Sequence, residues 1–352
     1  MKVLDPNVIS TKKISQIESF YNNVYVFLWY NISMKKVKYG IVSTAQVVPR
    51  FIEGVRLADN GEIAAVSSRT LEAAQTFAAA HHIPKAYGSH AELYADPELD
   101  VIYIATYNKG HFPEAKQALL AGKNVLLEKP FTLTLAEAET LFEIAREKNL
   151  FLMEAQKSIF LPVTQLVKEV VQSNEIGEIL AVDSVTAYAS IDHISWFKDL
   201  EAGGGTVHFM LPYAISYLQY IFDAQITAFS GIADMVNGES DTQAKVLLKL
   251  DNGVLVNIFL TTQVGLDKVM TIQGTKGKLV IPEFWRAKTA TVRFADGGIK
   301  RQLNADFESD FVYEVQHVND LILSGERLSP MMTADMTLSG VKIMDSLYQS
   351  WQ

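Results

Sequence analysis

Between Val37 and Met153 short apolar runs alternate with stretches in which apolar residues return every three or four positions. That alternation is the mark of strands separated by helices in βαβ units. The runs at 37–42, 63–66, 101–105, 125–127 and 151–153 predict strands. Helices are predicted over 71–81, with Ala73, Ala74, Phe77 and Ala78 along one face, over 113–121, closed by Gly122, and over 135–148. Thr134 followed by Glu137 forms a capping box at the start of the last of these. Strands that are apolar on both sides belong to a parallel sheet covered on both faces, so this part of the chain reads as a doubly wound α/β domain.

Beyond residue 160 the pattern changes to strict alternation. The runs 244–250 and 254–260 flank Asp251-Asn252-Gly253, a hairpin signal. Further strands are expected at 179–187, 226–233, 268–273 and 278–281, giving a large, open, mostly antiparallel sheet. A last amphipathic helix over about 307–323 ends near Gly325 and is expected to pack back on either half. The boundaries drawn from these patterns are an appendage at 1–33, a nucleotide-binding domain at 34–155 and a substrate and oligomerisation domain at 156–352. The apolar run 24–30 is too short for a membrane span, and Asn31-Ile32-Ser33 does not form a signal-peptide cleavage site. Met34 reads as a natural chain start.

The 352 residues carry 31 Lys and Arg against 40 Asp and Glu, a formal charge of -9. This argues against nucleic acid and anionic membrane as partners, because both require clustered positive charge. The chain has no cysteine, which removes disulfides, thiolate-bound metals and thiol nucleophiles, and fits a cytoplasmic protein. His81 and His82 are adjacent and point apart, so no metal is expected there.

A phosphate-binding turn belongs after the first strand. Set against G-x-G-x-x-G/A, the chain places Ser43, Ala45 and Val48 where the motif has small residues, with Thr44 and Gln46 between them. Ser43 and Ala45 are the smallest substitutes available, and the Thr44 hydroxyl lies beside the helix start. After the second strand come Ser67-Ser68-Arg69-Thr70, where an acidic residue would grip a ribose diol. Arg69 can fork onto a phosphate and Ser68 can donate to it, which favours NADP over NAD. Taken alone, the tetrapeptide reads equally well as a solvated helix start capped by Thr70.

At Glu128-Lys129-Pro130 the chain resembles the Gfo/Idh/MocA oxidoreductases, named for glucose-fructose oxidoreductase, inositol dehydrogenase and MocA. The likeness also rests on residues 40–45, on Ala65-Val66-Ser67-Ser68-Arg69, on 105–111 ending Asn108-Lys109-Gly110-His111, on Gly203-Gly204-Gly205, and on Gly274-Thr275-Lys276-Gly277. It looks closest to the branch of dimeric dihydrodiol dehydrogenases and sugar dehydrogenases. The resemblance implies a Rossmann domain followed by an open-sheet α/β domain that forms a homodimer or homotetramer. It also implies hydride transfer between a nicotinamide and a secondary alcohol or ketone of a sugar-derived or cyclic diol substrate. Lys129 then corresponds to the catalytic lysine, with Thr106, Asn108, His111 and Glu128 on the cofactor side.

The family's second motif, G-G-G-x-x-x-D-x-G-x-H/Y, aligns with residues 203–213 and puts the proton-transfer residue at Tyr213. Phe209 replaces the usual aspartate and Leu211 the usual glycine. Phe209 and Tyr213 are four apart on a presumed helix, hence on one face, which predicts a more apolar pocket. An ammonium beside the phenol is expected to favour its ionised form. His208 lies off that face. His111 reads as a nicotinamide contact or a helix cap, and Trp285 as core packing or part of a family segment. The missing aspartate and the eroded glycine turn motivate one alternative, a catalytically impaired NADP-binding regulator.

Overall fold

A computed structural model describes residues 35–236 and 238–351; the appendage inferred at 1–33 lies outside the described residues. Six strands form the first sheet: β1 (Val37–Val42), β2 (Gly61–Ser67), β3 (Lys85–Tyr87), β4 (Val101–Ile104), β5 (Asn124–Glu128) and β6 (Leu152–Ala155), in the order β3-β2-β1-β4-β5-β6. All neighbours run parallel. Between them lie α1 (Val48–Leu57), α2 (Leu71–Ala80), α3 (His90–Ala95), α4 (His111–Leu120) and α5 (Leu135–Glu147). The order reverses between β1 and β4, and a crevice opens beyond their carboxyl ends. Every residue of β4 is buried, as expected for a strand covered on both faces. Thr134 and Glu137 make the anticipated capping box.

The second sheet has eight strands: β7 (Ile179–Ala187), β8 (Ile226–Asp234), β9 (Gln243–Leu250), β10 (Leu255–Thr261), β11 (Val269–Gly274), β12 (Gly277–Pro282), β13 (Thr289–Phe294) and β14 (Ile299–Asn304). Their order is β14-β13-β12-β11-β7-β10-β9-β8. The β9–β10 hairpin turns at Gly253, whose φ of +91° an L side chain rarely adopts. One neighbour pair, β7 with β10, is parallel. Along β9 the even positions Ala244, Val246, Leu248 and Leu250 are buried while Lys245, Leu247 and Lys249 are exposed, the two faces of a half-covered sheet. The buried face packs on α6 (Pro162–Gln172), α7 (Thr206–Phe222) and α9 (Ala334–Trp351).

The helix expected over 307–323 begins later, as α8 (Val312–Ser324), and it packs on α1, β1 and β2 of the first sheet. Residues before it are held in a turn in which the Ser309 hydroxyl accepts from the Phe311 amide. It is not the last helix, because α9 follows. Sequence reading also passed over α3, α6, β3, β13 and β14, and anticipated α1 only as a helix start beside Thr44. The α9 signal was present in Leu338, Val341, Met344, Leu347, Tyr348 and Trp351, spaced three or four apart.

Candidate active site

Lys129 follows directly on β5, at the crevice. Its setting is built from the core outward. Phe51 of α1 stacks on Tyr103 of β4 with centroids 3.5 Å apart. The Tyr103 hydroxyl donates to Glu128 Oε1 at 2.7 Å, and the other carboxylate oxygen accepts from the Lys129 amide at 3.1 Å. The Lys129–Pro130 peptide is cis. Lys129 Nζ donates to the Phe209 carbonyl at 2.9 Å and stands 4.4 Å and 4.8 Å from the ring centroids of Phe209 and Tyr213. Burial lowers its pKa to about 8, with Glu128 opposing and the neighbouring Lys157 reinforcing the shift.

Phe209 and Tyr213 share one face of α7, as their spacing predicted, and both line a cavity of about 510 Å³. The expected ionisation of Tyr213 does not hold. Lys129 lies over the ring, and burial together with Glu128, Glu314 and Asp310 raises the phenol well above its ordinary value. Tyr213 is therefore a proton-bearing donor near neutral pH.

The same cavity is lined by Ala45, Gln46, Thr106, Asn108, His111 and Glu128. Asn108 is also tied to the glycine-rich segment, its Nδ2 donating to the Gly203 carbonyl at 2.7 Å. His111 begins α4, and its two ring nitrogens face the carbonyls of Pro130, at 2.7 Å, and Thr106, at 3.2 Å. Burial lowers its pKa to about 4, so near neutral pH the ring carries a single N–H and donates to one of the two carbonyls. His208 is buried away from the cavity, stacked on Tyr348 at 4.2 Å. Trp285 is buried against Phe284 and also lines the cavity.

Ser43 and Thr44 precede the stretch that lines the cavity. Ser43 has a φ of +94°, the conformation for which a glycine is ordinarily needed, and its hydroxyl accepts from the Ala45 amide at 3.1 Å. Helix α1 starts without a side-chain cap and without an acidic residue in its first turn. Among the described residues the Gln46 and Val47 amides donate to no protein acceptor, which leaves donors and the positive end of the helix for an anion. At the end of β2, Thr70 does cap α2, accepting from the Ala73 amide at 3.3 Å. Arg69 is exposed and Ser68 half-buried; neither side chain has a bond to another described residue. These two sites fit a dinucleotide.

Sequence reading missed a cluster contributed by both halves. Lys157, just past β6, is buried and donates to the Trp285 carbonyl at 3.1 Å and to Asp310 at 2.5 Å. Arg50 of α1 grips both oxygens of Asp310, at 2.7 Å and 2.6 Å. Burial opposes ionisation of Asp310, yet Lys157 and Arg50 together hold its carboxyl below the usual value. A lysine past a strand's carboxyl end was the available signal for Lys157. Asp310 is 153 residues away from it, and no local pattern joins them.

Two family models match the chain: "Oxidoreductase family, NAD-binding Rossmann fold" over residues 37–156 and "GFO/IDH/MocA C-terminal domain" over residues 164–280. Among curated proteins, the trans-1,2-dihydrobenzene-1,2-diol dehydrogenase of Mus musculus is 31% identical over 307 residues, covering 84% of this chain and 91% of that protein. The Xenopus laevis enzyme of the same name is 29% identical, covering 88% and 96%. A 3-ketoreductase from Actinomadura kijaniata, solved with NADP and TDP-benzene, superposes with a TM-score of 0.81 at 20% identity, covering 90% of this chain and 98% of that one. An aldose-aldose oxidoreductase from Caulobacter crescentus gives a TM-score of 0.77 at 21% identity, covering 90% and 97%. At these identities the structural likeness speaks to the fold.

Proposed function

The chain belongs to the Gfo/Idh/MocA oxidoreductases, and on that premise we propose that it is an NADP-dependent dehydrogenase or reductase acting on a secondary alcohol or ketone of a cyclic diol or sugar-derived substrate. The observation that carries the reading is Lys129, a half-buried amine at the switch-point crevice, set against the rings of Phe209 and Tyr213 inside the cavity. The names of the relatives supply the substrate class, and the NADP in the ketoreductase structure supports the cofactor.

Residues 43–47 and the start of α1 would hold the pyrophosphate, Ser68 and Arg69 the 2′-phosphate, and Thr106, Asn108 and His111 the nicotinamide end. A bound nicotinamide supplies the hydride acceptor or donor. In the oxidising direction neutral Lys129 takes the alcohol proton while the Tyr213 hydroxyl donates a hydrogen bond to the same oxygen. In the reducing direction the ammonium returns the proton. Lys129 thus takes the titrating role that the sequence had divided between two residues.

The exposed face of the second sheet suits a homodimer or homotetramer. The cross-strand row Ile232, Lys245, Phe259, Val185 and Val269 runs over it, with Leu247 and Leu255 also exposed. A cytoplasmic site of action accords with the lack of cysteine. No helix among the described residues is long and apolar enough to cross a membrane.

Fluorescence titration with NADPH and with NADH, followed by turnover assays on cyclic trans-diols and on sugars, tests the reading. Tight NADPH binding with measurable turnover is expected. Tight binding with no turnover across the panel would favour the regulator, and failure to bind either nucleotide would overturn both.

A further inference from the structure

Four cationic side chains, Arg50, Lys129, Lys157 and Arg286, line the cavity against one carboxylate, Glu128. Three of the four are already engaged. Arg50 and Lys157 bind Asp310 at 2.6 Å and 2.5 Å, and Lys129 donates to the Phe209 carbonyl. Arg286 is exposed, and its side chain makes no hydrogen bond or ion pair with any described residue.

The backbone beneath it is held firmly. Phe284–Arg286 is a single 3-10 turn in which the Arg286 amide donates to the Glu283 carbonyl at 2.8 Å. Phe284 is buried edge-on against Tyr217 and Trp285. Lys157 donates to the Trp285 carbonyl, and Lys268 donates to the Glu283 carboxylate at 3.0 Å. Two lysines thus anchor the turn that presents a guanidinium with its donors free. A planar fork of N–H groups on a rigid support matches a carboxylate or a phosphate. The anions of the cofactor have other seats, at the uncapped start of α1 and at Arg69, whereas this turn follows β12 in the second sheet.

We propose that Arg286 binds an acidic group on the substrate, so that the preferred substrate is a polyhydroxylated acid or phosphate ester and not a neutral diol. This deepens the dehydrogenase reading of the cavity and rests on it. The volume of about 510 Å³ falls in the range of small-molecule sites, and the aromatic rings of Tyr188, Trp196 and Trp285 on its wall suit the carbon-bound face of a sugar ring.

Calorimetric titration of the full chain, first with NADPH and then, once saturated, with D-glucuronate, D-glucose 6-phosphate and D-glucose, provides the test. At least one of the two anions is expected to bind about tenfold or more tightly than glucose, the scale of one charge-assisted contact. Arg286→Gln should shrink that advantage to about twofold, and Arg286→Lys should keep part of it. The better anion identifies carboxylate or phosphate as the source. Equal binding of all three sugars, or an advantage that survives in Arg286→Gln, overturns the proposal. Weaker NADPH binding by Arg286→Gln also overturns it, by assigning the residue to the cofactor. Absence of binding of both NADPH and NADH by the unaltered chain refutes the dehydrogenase reading instead, and the same three titrations on the cofactor-free chain then decide Arg286 on their own.

Discussion

Lys129 meets Phe209 twice, donating from Nζ to its carbonyl at 2.9 Å and lying 4.4 Å from the centroid of its ring. Position 209, which the motif resemblance aligns with an aspartate, offers the amine a backbone carbonyl and a ring face. Neither carries the full negative charge that would hold the amine protonated, and burial prevails, lowering the pKa to about 8.

The pH profile follows from this. Oxidation uses the neutral amine, so its kcat/KM should rise through about pH 8 and level off above. Reduction uses the ammonium and should fall over the same interval. In Phe209→Asp a carboxylate beside Nζ favours the ammonium, and both inflections should move upward. Inflections unmoved in that variant would remove Lys129 from the titrating role.

Replacing the amine separates chemistry from binding. Lys129→Met should lower kcat by roughly 10²–10⁴-fold, the contribution of a positioned acid or base, with NADPH affinity nearly unchanged. The same variant should be more stable than the parent at pH 7. The folded chain disfavours the ammonium, so the parent is penalised below about pH 8 and relieved as the pH rises from there toward 10.5. After allowance for partial solvent access the gain is about 1–2 kcal/mol, read from urea unfolding at pH 7. A destabilised Lys129→Met would contradict it.

The proposed preference for NADPH rests on an exposed side chain, Arg69. Arg69→Ala should weaken NADPH binding about 10–100-fold, as expected for lost charge-assisted bonds to a phosphate, and leave NADH binding within about twofold. Equal losses for both nucleotides would show that Arg69 does not read the 2′-phosphate.

The segment that orients α7 depends on one buried acid. Asp241 accepts from the Thr206 hydroxyl and, at 3.2 Å, from the Val207 amide, while its other oxygen accepts from Tyr348 at 2.5 Å. Asp241→Ala removes a helix cap, leaves the buried Thr206 hydroxyl without its partner and leaves Tyr348 only the Gly204 carbonyl at 3.3 Å, so a loss of about 2–4 kcal/mol is expected. Because α7 carries Phe209 and Tyr213, kcat should fall as well. Unfolding within about 0.5 kcal/mol of the parent would rule out this role.

Local pattern was enough for the parts of the fold that local physics fixes. Apolar runs and a capping box located five of the six parallel strands and α5, and Asp251-Asn252-Gly253 located the β9–β10 hairpin, because period and turn chemistry are written in adjacent residues. The four-residue spacing of Phe209 and Tyr213 correctly put them on one face. Position 43, where the motif calls for glycine, adopts the positive φ that the motif requires even with a serine in place. What sequence could not supply was the electrostatic environment. Tyr213 is held protonated by burial and by Glu128, Glu314 and Asp310, two of which lie about a hundred residues further along the chain. The Arg50–Asp310–Lys157 cluster joins α1, the end of β6 and the approach to α8, and Arg286 is identified as free only by the absence of neighbours. Charge and desolvation act through space across the crevice, so they were decided only when the two halves closed around it.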